Sequence, residues 1–232
     1  EIAEPQVPPS ENWGTMEKLS REKEVVGIYI SGHPLDDFKI EMKTFCNGVI
    51  ADFNDLGSMV NQNVKFGGVV TDVQHRVSKQ GKGWAIFSIE DYTDSFDFRI
   101  FGEDYLKFRH FLVQNSFVHV QALVKEGWVN RDTGKKGDPR IQFNNFQLLH
   151  DVMDTYAKKL SIQLNVKDLK SDTISELQEM FRMHEGSNSL SFVVYYNEDK
   201  IKLNMPSRKQ KVNISQELLN TLSVHHIKYK LN

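Results

Sequence analysis

The sequence lacks several features whose absence excludes whole classes of protein. Cys46 is the single cysteine among 232 residues, so the chain can build neither an internal disulfide framework nor a CxxC zinc site. No apolar stretch approaches the roughly 18 residues that a membrane helix needs. The N-terminal EIAEPQVPPSENW has no basic or apolar signal region and no initiator Met. We therefore expect a cytoplasmic chain, with no membrane partner, that is cut from a longer protein.

What is present is a globular composition with an uneven charge. Hydrophobic residues make up 39% and charged residues 26%, which predicts a soluble chain with a packed core. Residues 1–59 hold five Lys and Arg against eleven Asp and Glu, whereas residues 60–150 and 151–232 each hold twelve against ten. A mildly basic middle and end permit nucleic-acid contact, although such a balance is more often just a solvated surface.

The first segment, residues 1–59, is predicted to be a helical linker. Apolar spacing indicates a helix from Met16 to Ile30, and Gly32 fits the position just past its end. Pro34 cannot continue a helix but suits the first turn of a new one, over residues 35–42. His33, between the two, has no second metal ligand at a useful spacing. The structural interpretation of this turn is therefore favoured, and the alternative is a hydrolase that uses His33.

That alternative would need Asp36 or Asp37 as the partner of the histidine. The two carboxylates are adjacent in sequence, so they cannot face the same way on a helix. Acidic residues in a first helical turn are also explained by the helix dipole alone.

The second segment, residues 60–150, changes to a strand-like period. Three strands, a helix over 103–112 and two more strands are predicted, which is the order of an OB-fold, the small partly open barrel that commonly binds oligonucleotides. Another small β-barrel, including one that binds protein, remains the alternative. The strands are expected at residues 64–77, 84–90, 95–101, 117–128 and 140–146.

OB-folds bind across strands two and three, and the loops between strands one and two and between strands four and five close the groove. Cations on these loops suit phosphates, and aromatic rings on the strands stack on bases with little sequence preference. Core packing for the rings and simple solubility for the lysines are the alternatives. The candidate nucleic-acid-binding residues are Arg76, Lys79, Lys82, Trp84, Arg99, Phe101, Arg131, Lys135 and Lys136.

The third segment, residues 151–232, reads as β-α-β-β-α-β, a small α+β domain. Thr173 and Glu176 are spaced as a capping box at the start of its first helix. His225 and His226 are expected on the last strand, where they would point to opposite faces and make a poor metal pair. The predicted fold class is mixed β and α+β: a short helical lead-in, a five-stranded OB-fold barrel and this domain. A domain without a catalytic constellation is expected to bind a partner or complete a structure.

The stretches REKEVVGIYISGHPLDDF and GKGWAIFSIEDYTDSFDFRIFGEDY, followed by the β-α-β-β-α-β tail, resemble the C-terminal third of the bacterial replicative DNA polymerase III alpha subunit. The resemblance covers about 13–232. It implies that the OB domain holds single-stranded template DNA and that the last domain engages the clamp-loader subunit tau.

The resemblance also implies that the polymerase carboxylates and their two magnesium ions lie upstream. The chain itself is then a non-catalytic fragment without a cofactor, and its parent is a magnesium-dependent DNA-directed DNA polymerase in the bacterial cytoplasm. Residues 1–31 hold no good match to the family's peptide for the sliding clamp. An OB-fold module that binds RNA or tRNA is the alternative, but it would not explain the Gly-His-Pro lead-in or the tail.

Overall fold

The computed structural model describes residues 13–27, 29–129, 135–196 and 201–232. The chain divides into two compact units, Glu1–Asp37 and Phe38–Asn232. No helix among the described residues is both long enough and apolar enough to cross a membrane. The sequence-based boundaries at residues 59 and 150 stay predictions.

The first unit contains helix α1, Thr15–Val26. Gly27 ends it, with a left-handed backbone (φ 84°) and an amide that donates to the Lys23 carbonyl at 2.9 Å. The prediction that the helix continues to Ile30 and ends at Gly32 was wrong, because the first glycine that could terminate it did so. The amides of Ile30 and Ser31 instead donate to the Glu22 carboxylate, at 2.9 and 2.8 Å.

His33 holds the turn that follows. Its Nδ1 accepts the amide of Leu35 at 3.1 Å, while its own amide donates to Asp36 Oδ2 at 2.9 Å. The ring also packs edge-on against Tyr29, with the centroids 5.2 Å apart. The hydrogen bond that Nδ1 accepts stabilises the turn and requires no catalytic role for His33. It supports the interpretation that the Gly-His-Pro segment is a structural turn. Within the described part of the chain, no group of three or more His, Cys, Asp or Glu side chains could hold a metal ion.

The second unit begins with helix α2, Lys39–Phe45, and contains the barrel. Five antiparallel strands form one sheet in the order β3-β2-β1-β4-β5, with helix α3, Gly102–Phe108, between β3 and β4. The predicted OB-fold is thereby confirmed, although the fourth strand is shorter than expected. The strands are β1 Asn63–Val77, β2 Gly83–Glu90, β3 Ser95–Phe101, β4 Phe117–Lys125 and β5 Arg140–Leu148.

Side chains along β3 alternate between the barrel core and the outer face. Phe98 and Ile100 are 1% exposed and lie in the barrel core, while Arg99 and Phe101 are exposed on the outside. Phe96 is half-buried and packs against the same core. Interior and exterior positions of the barrel therefore follow directly from the period of two.

The glycine pair in β1 permits close packing at the bend. A Cβ added to Gly68 would lie 2.6 Å from the backbone oxygen of Glu90 and 2.4 Å from Ile89 Cγ2. One added to Gly67 would meet the Met42 sulfur at 2.4 Å. A register shift between Val70 and Asp72 follows, as expected for a strand that bends to close a barrel.

Asp91 ties the β2–β3 turn to the segment before β1. It is 5% exposed, and its carboxylate accepts the amide of Thr93 at 2.7 Å and that of Ile50 at 2.9 Å. Ile50 begins the short 3-10 helix Ile50–Asp55, whose Phe53 packs in the barrel core. The turn is thus fixed by a buried carboxylate with several amide donors.

The tail forms a second sheet, in the order β8-β7-β6-β9, with β6 and β7 parallel and the other pairs antiparallel. Its order is the predicted β-α-β-β-α-β, preceded by a helix, α4, that the sequence analysis did not anticipate. The elements are α4 Leu149–Tyr156, β6 Lys159–Asn165, α5 Ser171–Met183, β7 Glu185–Tyr196, β8 Ile201–Val212, α6 Gln216–Val224 and β9 Lys228–Leu231.

Two local predictions in the tail were wrong. Helix α5 begins at Ser171 with Lys170 as its N-cap, so Thr173 lies inside the helix and forms no capping box. His225 is the C-cap of α6, and His226 has a left-handed backbone (φ 56°), so neither belongs to the last strand.

Helices α2 and α4 pack together between the barrel and the tail. The Phe45 and Tyr156 rings are 5.9 Å apart, and His119 of β4 is fully buried beside Tyr156, with its Nε2 3.3 Å from the Phe45 carbonyl oxygen. Burial lowers the pKa of His119, so it stays neutral and donates to that carbonyl.

Glu41 of α2 is a buried carboxylate next to the tail. It is 3% exposed; its Oε1 lies 3.4 Å from Gln216 Nε2, and its Oε2 is buried without a hydrogen bond. Burial raises the pKa of Glu41 above its ordinary value of 4.5. The charged form is thus disfavoured in the folded chain.

We expect Glu41→Gln to raise the free energy of unfolding at pH 8 by about 1–3 kcal/mol, because an incompletely paired buried charge is removed. Burial raises the pKa of Glu41 in the folded chain above its value in the unfolded chain. The destabilisation caused by the buried charge is therefore absent at a pH below the unfolded pKa and complete at a pH above the folded pKa. The gain should therefore nearly vanish at pH 4. Urea unfolding at pH 4, 6 and 8 measures this. Glu185→Gln, at an exposed site on β7, is the control, and an equal gain in both variants would contradict the expectation.

Candidate nucleic-acid interface

Two aromatic side chains lie side by side on the outer face of the barrel sheet. Trp84 of β2 and Phe101 of β3 are directly opposite in register. Their rings are 5.4 Å apart and within 17° of parallel. Phe101 is 57% exposed and Trp84 is half-buried. Exposed, nearly parallel rings of this kind offer a face on which any base can stack.

Arg76 extends this row onto the neighbouring strand, β1. It is the register partner of Trp84, and its guanidinium carbon lies 5.5 Å from the centre of the tryptophan ring. The guanidinium also donates to Gln74 Oε1 at 2.6 Å, which fixes its direction along the strand. We call Arg76, Trp84 and Phe101 the aromatic row. It combines one cation with two rings across three adjacent strands.

The charge on this face changes along the strands. The next row contains Arg99, opposite Ile86. The row beyond contains Asp72 and Asp97 on either side of Ser88, whose hydroxyl donates to Asp97 Oδ1 at 2.5 Å. The face is therefore cationic and aromatic at the β1–β2 hairpin end and acidic further away. A phosphate backbone is attracted to the hairpin end and repelled from the other.

The β1–β2 hairpin presents Lys79 and Lys82 beside the aromatic row, and both are exposed. The Ser78 amide donates to the Lys82 carbonyl at 2.8 Å, and Ser78 Oγ accepts the Lys82 amide at 3.1 Å. Gly81, with φ 75°, supplies the left-handed residue that this tight turn requires. Within the described part of the chain, neither lysine forms an ion pair, so both ammonium groups face solvent.

The β4–β5 loop is described only in part. Arg131 lies outside the described residues, whereas Lys135 and Lys136 are exposed. Lys136 Nζ forms an exposed ion pair with Glu126 Oε1 at 2.7 Å. An exposed ion pair contributes little free energy, so Lys136 can leave Glu126 and bind a phosphate with a small loss of stability.

Sequence reasoning missed two residues of this loop region. Trp128 is 74% exposed, and the Arg140 guanidinium carbon lies 4.0 Å from the centre of its ring. The sequence predicts Trp128 at the end of the fourth strand, but β4 ends at Lys125 and the tryptophan lies in the loop. The sequence does place Trp128 close to Arg131, Lys135 and Lys136, and this proximity to the candidate cations could have identified the tryptophan as a binding candidate.

The structure thus places Arg76, Trp84, Arg99 and Phe101 on one face, with Lys79 and Lys82 at its hairpin end. Lys135 and Lys136 lie with Trp128 and Arg140 in the β4–β5 region. Their roles in binding stay predictions.

Five antiparallel strands in this order, with a helix between β3 and β4, define the class of OB-fold domains. Residues 64–151 match the family model described as OB-fold nucleic acid binding domain. Residues 160–232 match the model for the C-terminal domain of the DNA polymerase III alpha subunit.

Curated relatives extend this likeness over most of the chain. The DNA polymerase III subunit alpha of Mycobacterium tuberculosis is 25% identical over 183 residues, which cover 78% of this chain and 15% of that protein. The subunit of Borreliella burgdorferi is 28% identical over 197 residues, which cover 82% of this chain and 16% of that protein. The chain is therefore similar to the C-terminal region of the DNA polymerase III alpha subunit, and the resemblance expected from the sequence is confirmed. It spans about 15% of the length of these relatives.

Among solved structures, that of yeast Stn1 and Ten1 is 11% identical, with a TM-score of 0.27, over 59% of this chain and 86% of that one.

Proposed function

We propose that the chain is a non-catalytic C-terminal fragment of a DNA polymerase III alpha subunit and that its OB domain holds single-stranded template DNA. The observation that carries the proposal is the aromatic row, with Arg76 beside Trp84 and Phe101 on the outer face of the sheet. Bases stack on the rings, while Lys79 and Lys82 contact the phosphates at the hairpin end. Arg99, Lys135 and Lys136 extend this contact along the strand and across the second loop.

In this proposal the tail binds the clamp-loader subunit tau in the bacterial cytoplasm. The match of residues 160–232 to the model for the C-terminal domain of the DNA polymerase III alpha subunit supports this assignment of the tail. Polymerisation, with its magnesium ions, belongs to the upstream part of the parent DNA-directed DNA polymerase.

A titration of the 232-residue chain with a labelled single-stranded oligodeoxynucleotide tests the OB assignment. A tRNA anticodon stem-loop of matched length serves as the comparison, and both are measured over a range of salt concentrations. We expect tighter binding of the DNA, weakening with salt as phosphate contacts require. Tighter binding of the RNA would favour an RNA-binding module, and no binding of either would overturn the proposal.

A further inference from the structure

One end of the tail exposes a group of large apolar side chains. The residues are Val166, Ile174, Ile201, Leu203 and Met205, which are 43%, 44%, 55%, 54% and 42% exposed, respectively. Single exposed apolar residues are ordinary, but a group of five in one region indicates an interaction surface.

The topology brings these residues to the same end of the sheet. Strand β6 ends at Asn165, which pairs with Tyr195 near the end of β7. Val166 and the start of α5, with Ile174 in its first turn, follow directly. Strand β8 begins at Ile201, opposite Tyr196.

The three apolar residues of β8 lie on the helix-covered side of the sheet. Met205 pairs with Phe192, whose ring is 6.0 Å from that of Phe181 on α5. Leu203 pairs with Val194, which is 8% exposed.

Helix α5 reaches the second half of β8, where Gln210 Nε2 donates to the Phe181 carbonyl at 3.1 Å and Val212 joins the core of the tail. The row of Ile201, Leu203 and Met205 in the first half is left open. On the same face of the sheet, helix α5 covers the apolar residues of the neighbouring strand β7.

A strand is a poor occupant, although β8 is an edge of the sheet. Pro206 has no amide hydrogen to donate at that edge, and lysines flank it at Lys202 and Lys209. Proline and lysine are the residues that protect sheet edges from further strand pairing. The twelve residues of β8 include four cations and no carboxylate.

We propose that the open row of Ile201, Leu203 and Met205 takes an amphipathic helix of a protein partner. The apolar side of that helix covers the row, and carboxylates at one end of it lie beside the cations in the second half of β8, Arg208, Lys209 and Lys211. The inference rests on the proposed function, since it specifies how the tail binds its partner.

The test measures binding of the tau subunit from the same bacterium to the 232-residue chain by isothermal titration calorimetry. Leu203→Glu places a charge in the row at an exposed site, and the fold should tolerate it, which a thermal melt checks. Met183→Glu makes the same change at the other end of α5, where the side chain is 76% exposed. We expect at least a tenfold loss of affinity for Leu203→Glu and less than a twofold change for Met183→Glu.

A charge reversal adds a second measurement. Lys202 alternates with the row and lies on the opposite face of the sheet, where its ammonium is 5.6 Å from the centre of the Tyr195 ring. Lys202→Glu should therefore change the affinity for tau by less than twofold, whereas a loss as large as that of Leu203→Glu would show that charge, and not the apolar row, determines binding. Parent-like binding by the Leu203→Glu chain would overturn this inference while leaving the proposed partner in place. No binding of tau by the parent chain would overturn both.

Discussion

Replacing Trp84 and Phe101 together by alanine is expected to lower the affinity of the chain for a single-stranded oligonucleotide by between about fivefold and about 150-fold. The estimate follows from the roughly 1–3 kcal/mol that stacking of one base contributes. The two rings form one surface, 5.4 Å apart and nearly parallel, so they are counted as one base site. Fluorescence anisotropy with a labelled oligonucleotide measures the change.

The salt dependence separates stacking from phosphate contact. The aromatic variant should keep the salt slope of the parent, because it loses no cation. Replacing Arg76, Lys79 and Lys82 by alanine should instead reduce that slope by about 2, at roughly 0.7 per phosphate contact on single strands.

A matched control is available in the tail. Replacing Arg208, Lys209 and Lys211 by alanine removes the same charge from β8, outside the barrel. If this control lowered the slope as much as the hairpin variant, binding would depend on net charge, and the assigned face would be wrong. Parent-like affinity in the aromatic variant would contradict the stacking surface.

Much of the barrel could be predicted from the sequence because its determinants are local. The alternation in β3 is strict, so the period of two already places Arg99 and Phe101 outside and Phe98 inside. Turn residues and glycines then separate the strands. The register between strands, which sets Arg76 beside Trp84, follows from the hairpin length once the strands are assigned.

What could not be predicted depends on distant parts of the chain. Helix α4 is eight residues long, too short for a convincing helical period, and packs against α2, about a hundred residues earlier. Trp128 has the apolar character of a strand residue, but β4 ends at Lys125. Beyond it, the Trp128 carbonyl accepts the amide of Gly137, at 2.9 Å, and Val129 forms an isolated bridge with Lys136, so the regular ladder does not continue to the tryptophan. Helix α1 ends at Gly27 because this residue, and not Gly32, adopts the left-handed backbone of the helix C-cap. The sequence alone does not distinguish between the two glycines.

The inside of the barrel gives the largest expected effect on stability. Phe98 is 1% exposed and lies at the centre of a cluster of phenylalanine rings. The neighbouring ring centroids are those of Phe96, Phe53, Phe66, Phe87 and Phe143, at 4.9, 5.1, 5.4, 5.6 and 6.0 Å. These rings come from β1, β2, β3, β5 and the 3-10 helix before β1, so one side chain joins most of the barrel.

Phe98→Ala should therefore lower the free energy of unfolding by about 3–5 kcal/mol, through lost burial and the cavity that remains. Arg99→Ala, next to it but on the outer face, should change it by less than about 0.5 kcal/mol. Urea unfolding at pH 7 compares the two, with Phe98→Leu as an intermediate variant if the alanine chain does not fold. Because Arg99 is a candidate phosphate contact, its variant should weaken oligonucleotide binding at unchanged stability. A loss below about 1 kcal/mol for Phe98→Ala would show that the ring cluster does not hold the barrel together.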